Sequence, residues 1–387
     1  MQHRSQSALI ILLLMISCIK KPVARKNEAK VKPSVTHEPS RDSNEQDIAL
    51  HIIGGEEVSS GGWDFMASIQ MQQVSGGSYH MCGGTFVAPR VILTAAHCLT
   101  DSGASLVRPE QLSIKAGVRD LIVDTGSVTL DVASVMVHES FMDTLKNISH
   151  STLIQTAASA TGMDTSYFAP LYGNDIGLIF LKSSPWPDRP VKEWTIHTDQ
   201  KNSGLISDSV HSFMKKSGHR LINRVAGWGI TERRPIEDLL QDASQFDHQK
   251  TSDRLKSGQQ PVISSSECRE HLFNWFRQQL GFGFFIFESE LNQILDQTMS
   301  HIVCAGDMQV GSVSFCSGDS GGPLIYEKPE SASRQKGSMI PDKRPTRIQT
   351  GLVSFSLGCN SEGIPDLYTR VGDYSNWILS KIQEQSP

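Results

Sequence analysis

The chain has 387 residues, a formal net charge of −5 and a hydrophobic fraction of 38%. Charges of both signs are spread along it, which excludes the basic footprint of a nucleic-acid binder, and the apolar content is enough for a packed core. Its length accommodates one large all-β unit or two smaller domains.

Residues 1–17 read as an export signal, with Arg4 as a basic start and a nine-residue apolar run from Ala8 to Ile16. A membrane-spanning helix needs about twenty apolar residues, so this run does not span. It ends Leu14-Met15-Ile16-Ser17-Cys18, similar to a bacterial lipobox with Met15 where leucine is usual, which makes Cys18 the lipidated residue. An ordinary signal peptide with an incidental cysteine is the alternative. Residues 18–51 are polar, rich in Lys, Pro, Ser and Glu, and read as a disordered tether or propeptide.

From Ile52 to about Val137, short apolar runs are broken by Gly, Ser and Asp. Ala67-Ser68-Ile69-Gln70-Met71, Gly84-Thr85-Phe86-Val87 and Val91-Ile92-Leu93-Thr94 are strand-like, and the pattern is all-β. Tyr374 to Ile382, carrying Trp377, Ile378 and Ile382, reads as a closing helix.

Seven cysteines are present: Cys18, Cys82, Cys98, Cys268, Cys304, Cys316 and Cys359. No C-x-x-C pair or Cys/His cluster points to zinc. Composition alone leaves their pairing open.

The stretch Ser314-Phe315-Cys316-Ser317-Gly318-Asp319-Ser320-Gly321-Gly322-Pro323 carries the chemistry. A serine between glycines sits on a tight turn, where its hydroxyl is reachable and the N–H groups of Gly318 and Ser320 converge as an oxyanion hole. A glycine-rich loop with an idle serine competes with this reading until two partners are counted. Thr94-Ala95-Ala96-His97-Cys98 supplies a histidine to act as general base and then acid, and Asn174-Asp175-Ile176-Gly177-Leu178 an aspartate to orient it. The chain order His97, Asp175, Ser320 is that of the chymotrypsin type.

On these residues the chain resembles the trypsin/chymotrypsin-family serine endopeptidases. The matching segments run from Ile52-Ile53-Gly54-Gly55 through Gly227-Trp228-Gly229 to Tyr368-Thr369-Arg370-Val371. The resemblance implies two six-stranded antiparallel barrels, the second from about Arg224 to Val371, within a peptidase domain of residues 52–387. It implies disulfides Cys82–Cys98, Cys268–Cys304 and Cys316–Cys359, which require an oxidising compartment and leave Cys18 over. It also implies a cut before Ile52, whose new ammonium pairs with Asp319. His51 stands where such zymogens carry Arg or Lys, a departure that argues against a trypsin-like activator.

Around the substrate, the resemblance makes Ser354 a hydrogen-bond partner of Asp175, with the surrounding segment pairing with substrate backbone. Phe355 replaces the usual Trp, and Ser356 the usual glycine. Ser314 occupies the pocket-floor position where trypsin-like enzymes carry aspartate, and Asp366 stands where a glycine is usual. A relocated negative charge at Asp366 implies cleavage after Arg or Lys. If Asp366 points away or pairs internally, the pocket is chymotrypsin-like or narrow.

Residues 143–170, 186–222, 231–260, 273–300 and 328–346 exceed the family's plain pattern and read mainly as surface loops. His271 to Met299 differs: Phe273, Trp275, Phe276, Phe282, Phe284, Phe285 and Phe287 precede a helix-like run from Glu288 to Leu295. It forms either a binding rim on the cleft or a small satellite core. The sequon Asn147-Ile148-Ser149 and the acidic residues Asp120, Asp124 and Asp131 are set aside, and no metal or cofactor is expected. The expected partners are protein or peptide substrates, an activating protease and a membrane reached through Cys18, with no nucleic acid. A catalytically dead scaffold lipoprotein is the alternative of another class.

Overall fold

The structure, a computed structural model, describes residues 52–58, 62–123, 126–161, 163–190, 196–198, 221–235, 251–308, 312–328 and 346–385. The export run, Cys18, the tether and Asp124 lie outside these residues, as do most of 186–222, about half of 231–260 and most of 328–346.

The first barrel is built from β1 (Met66–Gln72), β2 (Ser78–Ala88), β3 (Val91–Thr94), β4 (Leu112–Ala116), β5 (Val128–Val137) and β6 (Gly177–Leu181). Its antiparallel strands close in the order β1-β2-β3-β6-β5-β4. Ile69, Ile114, Leu130 and Ile179 fill the interior, and closure leaves no strand edge unpaired.

The second barrel uses β7 (Ile222–Gly227), β8 (Lys256–Ile263), β9 (Ile302–Ala305), β10 (Pro323–Lys328), β11 (Thr346–Phe355) and β12 (Asp366–Arg370). The pairings β7-β8-β9-β12-β11-β10 return from β10 to β7, so this ring also closes, and it repeats the order of the first. Val225, Val262, Val303, Leu324, Val353 and Tyr368 form its centre, with Ile52 packed among them. The expected strand runs lie inside β1, β2 and β3, although β2 begins at Ser78, well before the expected Gly84, and the expected start near Arg224 agrees with β7 to within a few residues.

The excess after β5 differs from the surface loops expected at 143–170. It folds as helices α1 (Glu139–Asn147) and α2 (Thr152–Thr161), followed by a 3-10 segment, Thr165–Tyr172. Phe141, Leu145, Ile148, Leu153 and Ile154 bring helical spacing to one apolar face, which is buried. These helices are too short to stand alone, and their stability comes from packing. The packing partner is the aromatic insertion, a hairpin of α3 (Ser265–Leu280) and α4 (Phe284–His301). Leu272, Phe276, Phe284, Phe287, Leu291 and Leu295 are buried in the same cluster as the first-barrel core. Glu290 accepts from the Ser151 hydroxyl at 2.6 Å and from Leu153 N–H at 3.3 Å, joining the two insertions. Among the described residues of the hairpin, Phe285 and Ile286 are the large apolar side chains that stand well out, at 78% and 64% exposure. The hairpin is thus mainly a satellite core, fused to the main one.

The closing helix α5 runs Ser375–Glu384. Ile378 and Tyr374 pack on Leu93, Leu178 and Phe180, so the end of the second half clamps the first.

Candidate active site

The three cysteine pairs implied by the resemblance are bonded: Cys82–Cys98, Cys268–Cys304 and Cys316–Cys359. The first fastens the short 3-10 turn Ala96–Leu99, which carries His97. The second ties the base of the α3–α4 hairpin, and the third joins the Ser320 loop to the far wall of the cleft.

Asp175 precedes β6 and is fully buried. The residue before it, Asn174, adopts φ +60°, a conformation asparagine tolerates better than most side chains, and its Oδ1 takes the Tyr374 hydroxyl at 3.1 Å. That turn aims the Asp175 carboxylate at His97. Oδ2 meets His97 Nδ1 at 2.8 Å and the Ser354 hydroxyl at 2.7 Å, while Oδ1 takes the His97 N–H at 2.9 Å. Nδ1 facing a carboxylate carries the hydrogen, which leaves Nε2 as the free acceptor. Burial works against the imidazolium, but the charge of Asp175 and its hydrogen bond outweigh it and hold His97 above its ordinary value.

His97, Ser320, Ser354, Phe355 and Ser356 line one cleft of about 300 Å³. In the turn before Gly322, the N–H groups of Asp319, Gly321 and Gly322 are bound by the carbonyls of Cys316, Val353 and Asp319. Those of Gly318 and Ser320 have no acceptor among the described residues. Gly318 reaches this geometry at φ +96°, which a side chain would strain. The arrangement offers a hydroxyl, a base with its orienter and two unengaged donors, the parts needed for acyl transfer.

Sequence reasoning missed the anchor of this turn. His80, buried on β2, donates from Nε2 to the Gly318 carbonyl at 2.8 Å and meets the Ser68 hydroxyl through Nδ1 at 2.7 Å. Burial pushes it down to about 4, so it stays neutral. No local signal marks His80, because Gly318 is 238 residues away in the chain.

Residues 52–378 match the family described as trypsin. The chain belongs to the trypsin family. Among its relatives, trypsin-1 of Astacus astacus is 26% identical over 330 residues, covering 84% of this chain and 98% of its own. Phenoloxidase-activating factor 3 of Holotrichia diomphalia is 26% identical over 334 residues, covering 86% and 72%. Ovochymase of Halocynthia roretzi is 24% identical over 340 residues, covering 87% of this chain and only 16% of its own length. The chain is a serine endopeptidase of this family.

The family motif Gly227-Trp228-Gly229 has a steric reason in this trypsin-family chain: a Cβ on either glycine would overlap the Asp319 carboxylate. That carboxylate is fully buried and accepts from Gly229 N–H at 2.7 Å and Cys316 N–H at 3.0 Å. Burial pushes Asp319 up to about 7, with the charge of Asp366 adding to it. Ile52 is buried beside Phe315 and Tyr368, and the carbonyl of Ile53 takes Ser314 N–H at 3.0 Å. The intact chain continues into Ile52, so its nitrogen is a peptide N–H.

The two expected floor residues are brought together. The Ser314 hydroxyl donates to Asp366 Oδ1 at 3.0 Å, and Oδ2 accepts from Gln260 Nε2 at 2.7 Å and Phe315 N–H at 3.2 Å. Burial pushes Asp366 up to about 7 against these donors. Asp366 and Ser314 line a much smaller space of about 10 Å³, while Phe315 lines the main cleft. Gln260 was another residue that sequence reasoning missed.

Among the described residues, the single His/Cys/Asp/Glu group close enough to hold a metal is Cys82, His97 and Cys98. Both cysteines are spent in a disulfide, which leaves no thiolate to ligate. Asp120 accepts from Ile122 and Val123 N–H at 2.9 Å each and pairs with Arg254, so it shapes a turn.

Proposed function

We propose that this endopeptidase cleaves through an acyl-enzyme on Ser320, with His97 as base and then acid, Asp175 orienting it, and Gly318 and Ser320 N–H groups holding the oxyanion. The observation that carries the reading is the shared geometry at Asp175, where His97 and Ser354 converge on one carboxylate oxygen at 2.8 and 2.7 Å. Labelling of Ser320 by a fluorophosphonate tests it, and an unlabelled mature protein returns the scaffold alternative.

The preference we assign is for Arg or Lys, from the Asp366 carboxylate beside Ser314. A substrate cation there would relieve a buried acid that otherwise costs several kcal/mol. A specific observation favours a second reading, an apolar pocket. Three donors already face Asp366, and Phe315 and Phe355 line the cleft in its place. Matched peptides ending in Arg, Lys, Phe or Leu, tested on wild type and Asp366→Gly, separate the two.

Activation follows from a cut before Ile52 by a protease that accepts His51. The freed ammonium meets Asp319, whose burial leaves it in need of a cation. N-terminal sequencing of the active form checks this, and any start other than Ile52 removes it. Three disulfides call for an oxidising compartment, which supports export by the leader at residues 1–17. With Cys18 as a lipid anchor and 18–51 as the tether, the cut would release the domain from the membrane, which fractionation before and after activation would detect.

A further inference from the structure

Tyr167 enters the cleft from the 3-10 segment Thr165–Tyr172, which belongs to the helical insertion and to neither barrel. Its hydroxyl donates to the Ser356 carbonyl at 3.2 Å, and its ring meets Phe355 edge to face at 5.4 Å between centroids. Ser356 stands one residue past the end of β11 and lines the cleft. β10 pairs with β11 only as far as Leu352, and β11 is irregular between Val353 and Phe355, so the segment from Ser354 to Ser356 is left open on the cleft side.

A peptide laid antiparallel on this edge advances about 3.3 Å per residue. If its residue before the cleaved bond pairs at Ser354, the residue two positions upstream faces Ser356. The backbone N–H of that third residue would need the same carbonyl that Tyr167 already engages. We propose that Tyr167 sets how much of a substrate is read: it occupies the outer acceptor of the pairing edge, so recognition rests on the first two residues upstream of the cut. This rests on the proposed use of Ser354 to Ser356 as the substrate edge.

The tyrosine is held in place from behind. Thr298 and Gln297 of α4 donate to the carbonyls of Leu171 and Tyr172, the second at 2.9 Å. Phe168, 2% exposed, packs edge to face on the Tyr167 ring at 5.4 Å. The phenol is therefore held by two aromatic neighbours, Phe168 and Phe355, and one insertion buttresses the other against the cleft.

The test uses the active enzyme from the full chain and blocked amides of one to four residues that share one first residue. A three-residue amide methylated on its third backbone nitrogen completes the set. Wild type gains less than about twofold in kcat/KM from the third residue and is indifferent to the methyl group. Tyr167→Phe gains about fivefold, and methylation removes that gain, as expected for one hydrogen bond. A wild type that already shows the methyl-sensitive gain overturns the proposal. So does a Tyr167→Phe protein slowed equally on all lengths, which would make the tyrosine a packing residue. Fluorophosphonate labelling makes no upstream contact and reports the underlying reading separately. Equal labelling without any length effect sinks the gate alone, while no labelling of either protein sinks the active-site reading.

Discussion

The hydroxyl of Ser354 donates to Asp175 Oδ2 at 2.7 Å across 179 residues of sequence. Ser354 belongs to β11 of the second barrel and Asp175 to the approach to β6 of the first, so the set of bonds on the carboxylate is complete only when both barrels have docked. Ser354→Ala removes one bond to a buried charge, a loss of about 1.5–3 kcal/mol. We expect kcat to fall at least about tenfold with KM nearly unchanged, because the hydroxyl positions the aspartate and does not bind substrate. Steady-state kinetics on one good peptide decides it, and an unchanged kcat would remove Ser354 from the site.

If His97 is the base proposed above, it must be neutral to take a proton, and kcat should climb as pH rises through its folded value. That value lies above the usual level near 6.5, held up by Asp175 against burial. In Asp175→Asn the raising charge is gone and burial acts alone. The acid limb of the pH profile should move to lower pH, with kcat reduced by roughly 10³–10⁴. The linked stability runs the other way: it is full below the unfolded value and fades as pH rises through the folded one. A limb that stays put in the variant would show that His97 does not control it.

Asp319 and Asp366 are both pushed from 3.8 up to about 7, burial being the largest cause for each. Folded chains therefore keep protons that unfolded chains have lost between these values. The stabilisation is complete below about 4 and disappears as pH rises through about 7. The uncut chain should melt at higher temperature at pH 5 than at pH 8. Asp366→Asn carries no charge to bury and should recover on the order of 1–2 kcal/mol at pH 8. Calorimetry at the two pH values gives the answer, and an equal fall in both proteins refutes the assignment to Asp366.

Leu291 is fully buried where α4 meets the core, whereas Phe285 near the hairpin tip is 78% exposed. Leu291→Ala should cost about 2–5 kcal/mol through lost burial and the cavity left behind. Phe285→Ser should stay within about 0.5 kcal/mol. Urea midpoints distinguish them. Comparable losses at both positions would mean that the tip is covered by something in the folded protein.

The motifs around His97, Asp175 and Ser320 were legible in the sequence because tight turns demand particular residues locally. Glycine beside the serine, Ala-Ala before the histidine and alternating apolar runs in the strands each state their own backbone requirement. By resemblance they also carried the disulfide pairing and the double barrel. The sequence did not announce His80 under Gly318, Gln260 on Asp366, Tyr167 on Ser356, or the helices that replace the loops expected at 143–170. Each of the three contacts joins residues 106 or more apart, and their partners are chosen by which surfaces meet when the barrels and insertions pack. The short helices have the same origin, since segments of nine or ten residues are marginal until an apolar neighbour covers them. Residue types and local turns were written in the sequence; long-range hydrogen bonds and helices that need a partner were decided only in the folded chain.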